Sequence, residues 1–136
     1  MSAFLTKLWL EDVDGTNWIV AAPFRYESDL LRGIVVVPTG FVTDLASVPR
    51  VFQGILPASG PYNKASVLHD SAYFGQLVTR DGQRIHLVKS LADLLFREAM
   101  LLSGVNPLLA EHMYQLVVAF GKTPETGARI NGSSGD

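Results

Sequence analysis

Residues 65–73 read ASVLHDSAY, a stretch that puts an imidazole and a carboxylate side by side in an otherwise apolar helix. Burying ionisable groups is costly unless they are paired or hydrogen-bonded, so His69 and Asp70 need an explanation. A second helix-like segment, residues 90–96, repeats the anomaly with Asp93 in an apolar run. Two such departures in one small chain predict a polar site between two helices.

Helical spacing decides which of these side chains can meet. His69 and Tyr73 are four residues apart and share a face, whereas Asp70 points about 100° away from His69. If the two helices pack antiparallel, Asp93 can approach His69 or Tyr73. A buried carboxylate that accepts the imidazole N–H would fix the histidine tautomer and leave the other ring nitrogen as a base. Hydrolases use a base and an orienting residue in this way.

Asp70 has a different potential partner, a cation. One carboxylate together with backbone carbonyls from a glycine-rich loop suits an oxygen-loving ion such as calcium (Ca²⁺). The loops around Gly40 and residues 54–60 could supply carbonyls, and Asp44 a second carboxylate. No histidine pairs with His69 at metal-ligand spacing, which argues against zinc.

The rest of the chain divides into a strand-like front and a helical back. Residues 4–10 and 18–22 predict a hairpin around Asp14-Gly15, with residues 24–26 extending its second strand beyond Pro23, and residues 34–37 predict a third strand. A turn is expected around Asp81-Gly82. Three helices are expected from residue 61 or 62 to about 74, over 90–103 and over 107–121, capped or stopped by Gly75, Ser90, Gly104 and Asn106.

These patterns predict an α+β fold in which a small N-terminal antiparallel β-sheet precedes three α-helices. The first two helices are expected to pack antiparallel around a His/Asp/Tyr cluster. Residues 1–121 form one expected domain, and residues 122–136 form a flexible or partner-ordered tail because they are polar and glycine-rich.

Composition limits the function classes. The 136 residues are 48% apolar and 18% charged, which is typical of a globular domain. A net charge of -2 without a cluster of basic residues argues against nucleic-acid binding. The absence of cysteine excludes a disulfide scaffold, a thiolate zinc site and a cysteine nucleophile. No apolar run reaches the roughly 18 residues that a transmembrane helix needs, so we expect no transmembrane segment.

Several of these motifs together resemble the DUF1353 family, over roughly residues 34 to 121. The matching residues are the run 40–50, Leu68-His69-Asp70 with Tyr73, Ala92-Asp93 with Phe96, and Met113-Tyr114 with Phe120-Gly121. The resemblance implies an origin in a bacteriophage or prophage and no settled activity. It therefore also implies synthesis in a host cytoplasm, with possible incorporation in the virion.

A second resemblance is to the active-site helix of phospholipase A2, which carries His-Asp-x-x-Tyr and is followed by a later helix with an Asp. It implies that His69 is the base, Asp70 the calcium ligand and Asp93 the residue that orients the base, with Tyr73 hydrogen-bonded to Asp93. The chain lacks that family's cysteines and shows no match to its calcium loop.

Two hypotheses follow for the function. The first is a calcium-assisted hydrolase acting on lipid or cell-envelope esters or amides, with Ser47 and Tyr62 as candidate substrate-binding residues. The second is a tail or baseplate component that binds other phage structural proteins, in which the polar cluster only fixes helix packing. In the second case Asp44 and Ser47 are turn formers, and the docking candidates are Phe4, residues 30–31 and residues 55–56.

Overall fold

The computed structural model describes residues 1–15, 17–43 and 62–120. Within them, strands come first and helices last, as expected for an α+β fold. The strands are β1 (Ala3–Phe4), β2 (Leu10–Asp12), β3 (Trp18–Val20), β4 (Phe24–Ser28), β5 (Gly33–Val37), β6 (Val42–Thr43) and β7 (Val78–Thr79). The helices are α1 (Tyr62–Tyr73), α2 (Lys89–Leu102) and α3 (Pro107–Phe120).

The strands of the described residues form two antiparallel sheets instead of the one that the sequence predicted. One sheet has the order β1-β4-β5-β7 and the other the order β2-β3-β6. The expected single strand over residues 4–10 is wrong, because Phe4 pairs with Tyr26 of β4 whereas Leu10 pairs with Val20 of β3. The chain therefore changes sheets between these two residues.

Pro23 separates the two sheets a second time. The predicted extension of the second strand beyond Pro23 is wrong, since β4 begins at Phe24 and pairs with β5 over Phe24↔Val37 to Ser28↔Gly33. Proline has no backbone N–H to donate to a ladder, so a change of sheet at this residue is physically reasonable. The third predicted strand is confirmed as β5, and its last three valines are buried.

Both predicted tight turns are confirmed. In the β2–β3 hairpin, Gly15 has a φ of 84° and donates its N–H to Asp12 Oδ1 at 2.6 Å. In the turn after β7, Gly82 has a φ of 85° and the N–H of Thr79 donates to the carbonyl of Gln83 at 2.8 Å. Residues other than glycine rarely adopt this backbone conformation, which explains why glycine is found at both turns.

The helix ends agree with the sequence in all but one place. Helix α1 ends before Gly75, which has a φ of 65°, and Asn106 caps α3 by accepting the N–H of Leu108 at 2.9 Å. The predicted N-cap of α2, Ser90, is wrong. Its place is taken by Val88, which is extended and makes no side-chain cap bond, so α2 begins one residue earlier than expected.

The core lies between the helices and the β1-β4-β5-β7 sheet. It includes the fully buried Phe24, Tyr26, Phe96, Met100 and Met113. The side chains of Phe4 and residues 30–31 are half-buried against this core and not fully exposed, and their role in docking stays a prediction. Residues 55–56 lie outside the described residues. In the part of the chain that the structure describes, no helix is both long and apolar enough to cross a bilayer.

Candidate active site

The histidine and the aspartate of the two helices meet at the α1–α2 interface. The Nε2 atom of His69 lies 2.8 Å from Oδ1 of Asp93, and the two side chains are 2% and 1% exposed. Asp93 also meets Tyr73, and Phe96, further along α2, meets the earlier His69. This order of contacts is that of antiparallel helices, as the sequence predicted.

Asp93 accepts three hydrogen bonds. Its Oδ1 atom accepts from His69 and from the hydroxyl of Tyr73, the latter at 2.8 Å. Its Oδ2 atom accepts from the ammonium of Lys89 at 2.7 Å. The structure thus brings together the three predicted catalytic residues, and it adds a lysine to them.

Two aromatic rings hold the imidazole in place. The ring of Phe96 stacks on that of His69 with centroids 4.7 Å apart and an interplanar angle of 26°. The ring of Tyr73 lies on it at 4.2 Å with an angle of 48°. Phe96 lies three residues after Asp93, so the two side chains share the face of α2 that is directed to His69.

The electrostatics favour a neutral imidazole beside a carboxylate. Burial lowers the pKa of His69 below its usual value of 6.5, because little water is left to solvate an imidazolium; the carboxylate of Asp93 opposes this shift and the ammonium of Lys89 reinforces it. Burial alone would raise the pKa of Asp93, but its three hydrogen bonds outweigh burial and hold that pKa below the usual value. The pKa of Tyr73 is raised by burial and by Asp93, so the phenol stays protonated and donates a hydrogen bond to Asp93.

These protonation states assign the tautomer of His69. An ionised carboxylate can only accept hydrogen bonds, so Nε2 carries the hydrogen. The lone pair of the neutral ring is then on Nδ1, which is the basic nitrogen. The geometry can therefore take up a proton at Nδ1 while Asp93 stabilises the resulting charge.

Asp70 lies on a different face of α1 and contacts the second sheet. Its Oδ2 atom accepts a hydrogen bond from the hydroxyl of Thr43 in β6, and both residues are buried. Among residues 1–15, 17–43 and 62–120, no three His, Asp or Glu side chains are grouped to hold a metal ion.

The other predicted site residues have different outcomes. Asp44 and Ser47 lie outside the described residues. Tyr62 is the first residue of α1, about two helical turns before His69. Its side chain is 6% exposed, and burial raises the pKa of its phenol. Its role in substrate binding stays a prediction.

Sequence reasoning missed two residues of this region, Lys89 and Thr43. Lys89 was detectable, because it precedes Asp93 by four residues and side chains at that spacing are neighbours on a helix. Thr43 lies in the run 40–50 that carries the family resemblance, but no spacing rule predicts its contact with Asp70, which spans 27 positions of sequence.

A second carboxylate on α2, Glu98, forms a cluster that the sequence also did not reveal. Its oxygens accept hydrogen bonds from the hydroxyls of Tyr26 and Ser28, at 2.6 and 2.8 Å, and from the N–H of Leu30 at 3.0 Å. We call these four residues the Glu98 cluster. It ties α2 to the end of β4 and the turn that follows.

Comparisons with known proteins give a family and no activity. The family model DUF1353, described as a protein of unknown function, matches residues 18–117. The uncharacterized protein y4jT of Sinorhizobium fredii (strain NBRC 101917 / NGR234) is 37% identical over 87 residues, which are 62% of this chain and 23% of that relative. The chain thus matches less than a quarter of that relative's length. No solved structure matches the chain.

Proposed function

This chain belongs to the DUF1353 family of proteins of unknown function, and from the geometry of its buried site we propose that it is a hydrolase with His69 as general base. The observation that carries the proposal is the 2.8 Å contact between His69 Nε2 and Asp93 Oδ1. It fixes a neutral imidazole with its basic nitrogen on the side away from the carboxylate. A general base needs this combination of a lone pair and a fixed orientation.

The reaction that suits such a base is the hydrolysis of an ester or amide. His69 Nδ1 takes a proton from water while the water oxygen attacks the carbonyl carbon, and the carbonyl π electrons move onto its oxygen. The tetrahedral intermediate then collapses, and the departing alkoxide or amine takes the proton back from His69. Asp93 stabilises the transient imidazolium, and Tyr73 keeps Asp93 in position through its 2.8 Å hydrogen bond.

Calcium is a separate proposal within this one. Calcium takes six to eight oxygen ligands, and among the described residues no three His, Asp or Glu side chains are grouped to hold a metal ion. No step above therefore passes through calcium. Ligation by Asp70 with Asp44 as a second carboxylate is tested by adding the ion to the assay.

The direct test is an assay of wild type and of His69→Ala on two probes, phosphatidylglycerol vesicles and purified peptidoglycan, with calcium or with a chelator. We expect cleavage of one probe by the wild type and a loss of at least about 10²-fold in the variant. Circular dichroism confirms that both proteins are folded. Equal rates for the two proteins, or no cleavage of either probe, would contradict the proposal.

A bacteriophage setting is the third part of the proposal. Its support is the resemblance of the motifs to a family encoded largely by phages, which makes host lipid or cell wall the expected substrate and a tail or baseplate the expected location. Mass spectrometry of purified particles of the encoding phage tests the location. Absence of the protein from those particles would contradict a location in the tail or baseplate.

The second candidate function is purely structural, and one observation favours it. His69 and Asp93 are 2% and 1% exposed, so a substrate reaches the imidazole only if its surroundings move. Diethyl pyrocarbonate, which modifies accessible neutral imidazoles, separates the two candidates. Peptide mapping should find His69 modified alongside the exposed His86 and His112 if the site is catalytic. Protection of His69 alone favours a cluster that only fixes the packing of α1 on α2.

A further inference from the structure

Lys89 links Asp93 of α2 to the end of α3. Its ammonium lies 2.7 Å from Asp93 Oδ2, 2.8 Å from the carbonyl oxygen of Val117 and 3.1 Å from that of Val118. An ammonium has three N–H donors, so all three are used. Two of the three bind the carboxyl end of α3, where the helix dipole favours a cation.

The two oxygens of Asp93 have separate partners because of this lysine. Oδ2 is bound to Lys89, and Oδ1 is left to accept from both His69 and Tyr73. A carboxylate held only at Oδ1 could rotate about its Cβ–Cγ bond and offer either oxygen to the imidazole. With Oδ2 attached to α3 through Lys89, that rotation breaks an ion pair.

We propose that Lys89 is a positioning residue of the His69 site, which locks the Asp93 carboxylate by tying it to the carboxyl end of α3. This inference rests on the proposed function, because orienting the base matters for a rate only if His69 acts as one. Lys89 touches neither the imidazole nor any described substrate position. It acts through Asp93.

The charges around the site agree with this role. In the described part of the chain, Lys89 and Asp93 of α2 and Tyr73 of α1 face His69, and Asp70 is directed to Thr43 of β6. The ammonium and the carboxylate balance each other, so the imidazole is not needed as a counter-ion. Lys89 is also only 26% exposed, which limits screening of the pair by solvent.

The experiment compares the wild type with Lys89→Met, with the conservative Lys89→Arg and with a control, Lys7→Met, whose lysine is exposed near Trp9. The first readout is the ¹⁵N spectrum of the His69 ring at one fixed pH near 7.5. We expect a single neutral tautomer with one sharp Nε2–H signal in the wild type and in Lys7→Met, and a shifted or broadened Nε2 signal in Lys89→Met, because its Asp93 carboxylate can offer either oxygen to the imidazole. A fold role alone would leave the ring spectrum unchanged.

The second readout is turnover of whichever probe the wild type cleaves. We expect kcat to fall at least about tenfold in Lys89→Met with KM changed less than about twofold, and most of the loss to be recovered in Lys89→Arg. A guanidinium restores the charge and can still donate to Asp93.

Failure of this inference is distinguishable from failure of the proposed function. Without any turnover the proposed function fails, and the ring spectrum still decides the role of Lys89. If the wild type turns over and depends on His69, an unchanged spectrum and kcat in Lys89→Met overturn the inference alone. If Lys89→Met does not fold, the wild-type spectrum decides, because a mixture of tautomers there contradicts a locked carboxylate.

Discussion

Helix α2 carries two carboxylates in different settings, Asp93 and Glu98. They are five residues apart, so they face directions about 140° apart around the helix. Asp93 faces α1, and Glu98 faces the end of β4 and its turn. Each accepts three side-chain or backbone hydrogen bonds, one of them from a tyrosine hydroxyl.

The partners differ in chemistry. Among the residues that the structure describes, the donors to Glu98 are neutral: two hydroxyls and a backbone N–H. Asp93 accepts from a phenol, an ammonium and an imidazole, and the imidazole has a second nitrogen that can bind a proton. Neutral donors are sufficient to hold two elements together, as the Glu98 cluster does. A base and a cation around Asp93 go beyond what packing needs, and this difference separates a structural cluster from a candidate active site.

The largest expected effect is that of Asp93→Ala on stability. The change removes the carboxylate that pairs with the largely buried ammonium of Lys89. Breaking a buried ion pair lowers the free energy of unfolding by about 3–5 kcal/mol. Urea denaturation measures the free energy of unfolding. Glu111→Ala, which breaks the more exposed pair with Arg97, is the control and should cost less than about 1 kcal/mol. Similar losses of unfolding free energy in the two variants would contradict the prediction that Asp93 contributes more to stability than Glu111.

Glu98→Ala should cost less, about 2 kcal/mol. It strips the acceptor from two buried hydroxyls, those of Tyr26 and Ser28, but Glu98 is half-buried and water can replace part of what is lost. The ring spectrum of His69 should not change, because the Glu98 cluster contacts neither the imidazole nor Asp93. A changed spectrum would show that the two carboxylates are coupled and would contradict their separation into two independent clusters.

The two tyrosines provide a matched pair of smaller changes. Tyr26→Phe and Tyr73→Phe each remove one hydroxyl that donates to a carboxylate, and each should cost about 1 to 1.5 kcal/mol in urea denaturation. Only Tyr73→Phe should alter the His69 ring spectrum, because only its hydroxyl shares Asp93 Oδ1 with the imidazole. Equal spectral effects, or none from Tyr73→Phe, would contradict the division between the clusters.

Local signals in the sequence accounted for most of the fold. Glycine at a positive φ, proline at the first turn of α3 and a β-branched run each act within a few residues, so the turns, helix ends and β5 were predictable. The division into two sheets was not, because strand partners are chosen by long-range packing. Phe4 is closer in sequence to Leu10 than to Tyr26, yet it pairs with Tyr26.

The site shows the same limit. His69, Tyr73 and Asp93 were predictable because helical spacing fixes which side chains share a face, and Lys89 was predictable in principle for the same reason. The partners of Glu98 are 68 to 72 residues away in sequence, and no spacing rule reaches that far. Tertiary packing brings the end of β4 to Glu98 of α2, and this contact is evident only from the fold.

A pH dependence of stability is also expected for one of the two carboxylate sites, that of Asp93, through His69. The pKa of His69 in the folded protein lies below the value of 6.5 expected in the unfolded chain, so the unfolded state binds more protons as the pH falls through that value. The free energy of unfolding should therefore decrease from pH 7.5 to pH 5, by at most about 1.4 kcal/mol per pH unit for one proton. Asp93, whose folded pKa lies below 3.8, adds a second loss of the same sign at lower pH.

Urea denaturation at half-unit pH steps measures this dependence in three proteins. His69→Gln should lose the decrease between pH 7.5 and pH 5, because its amide N–H can still donate to Asp93 but does not titrate. In Glu98→Ala the free energy of unfolding should be lower than in the wild type at every pH, but it should show the same decrease between pH 7.5 and pH 5. If His69→Gln keeps the wild-type slope, the imidazole is not the group held neutral by burial. The chemical distinction between the two carboxylates of α2 would then have no effect on the pH dependence of stability.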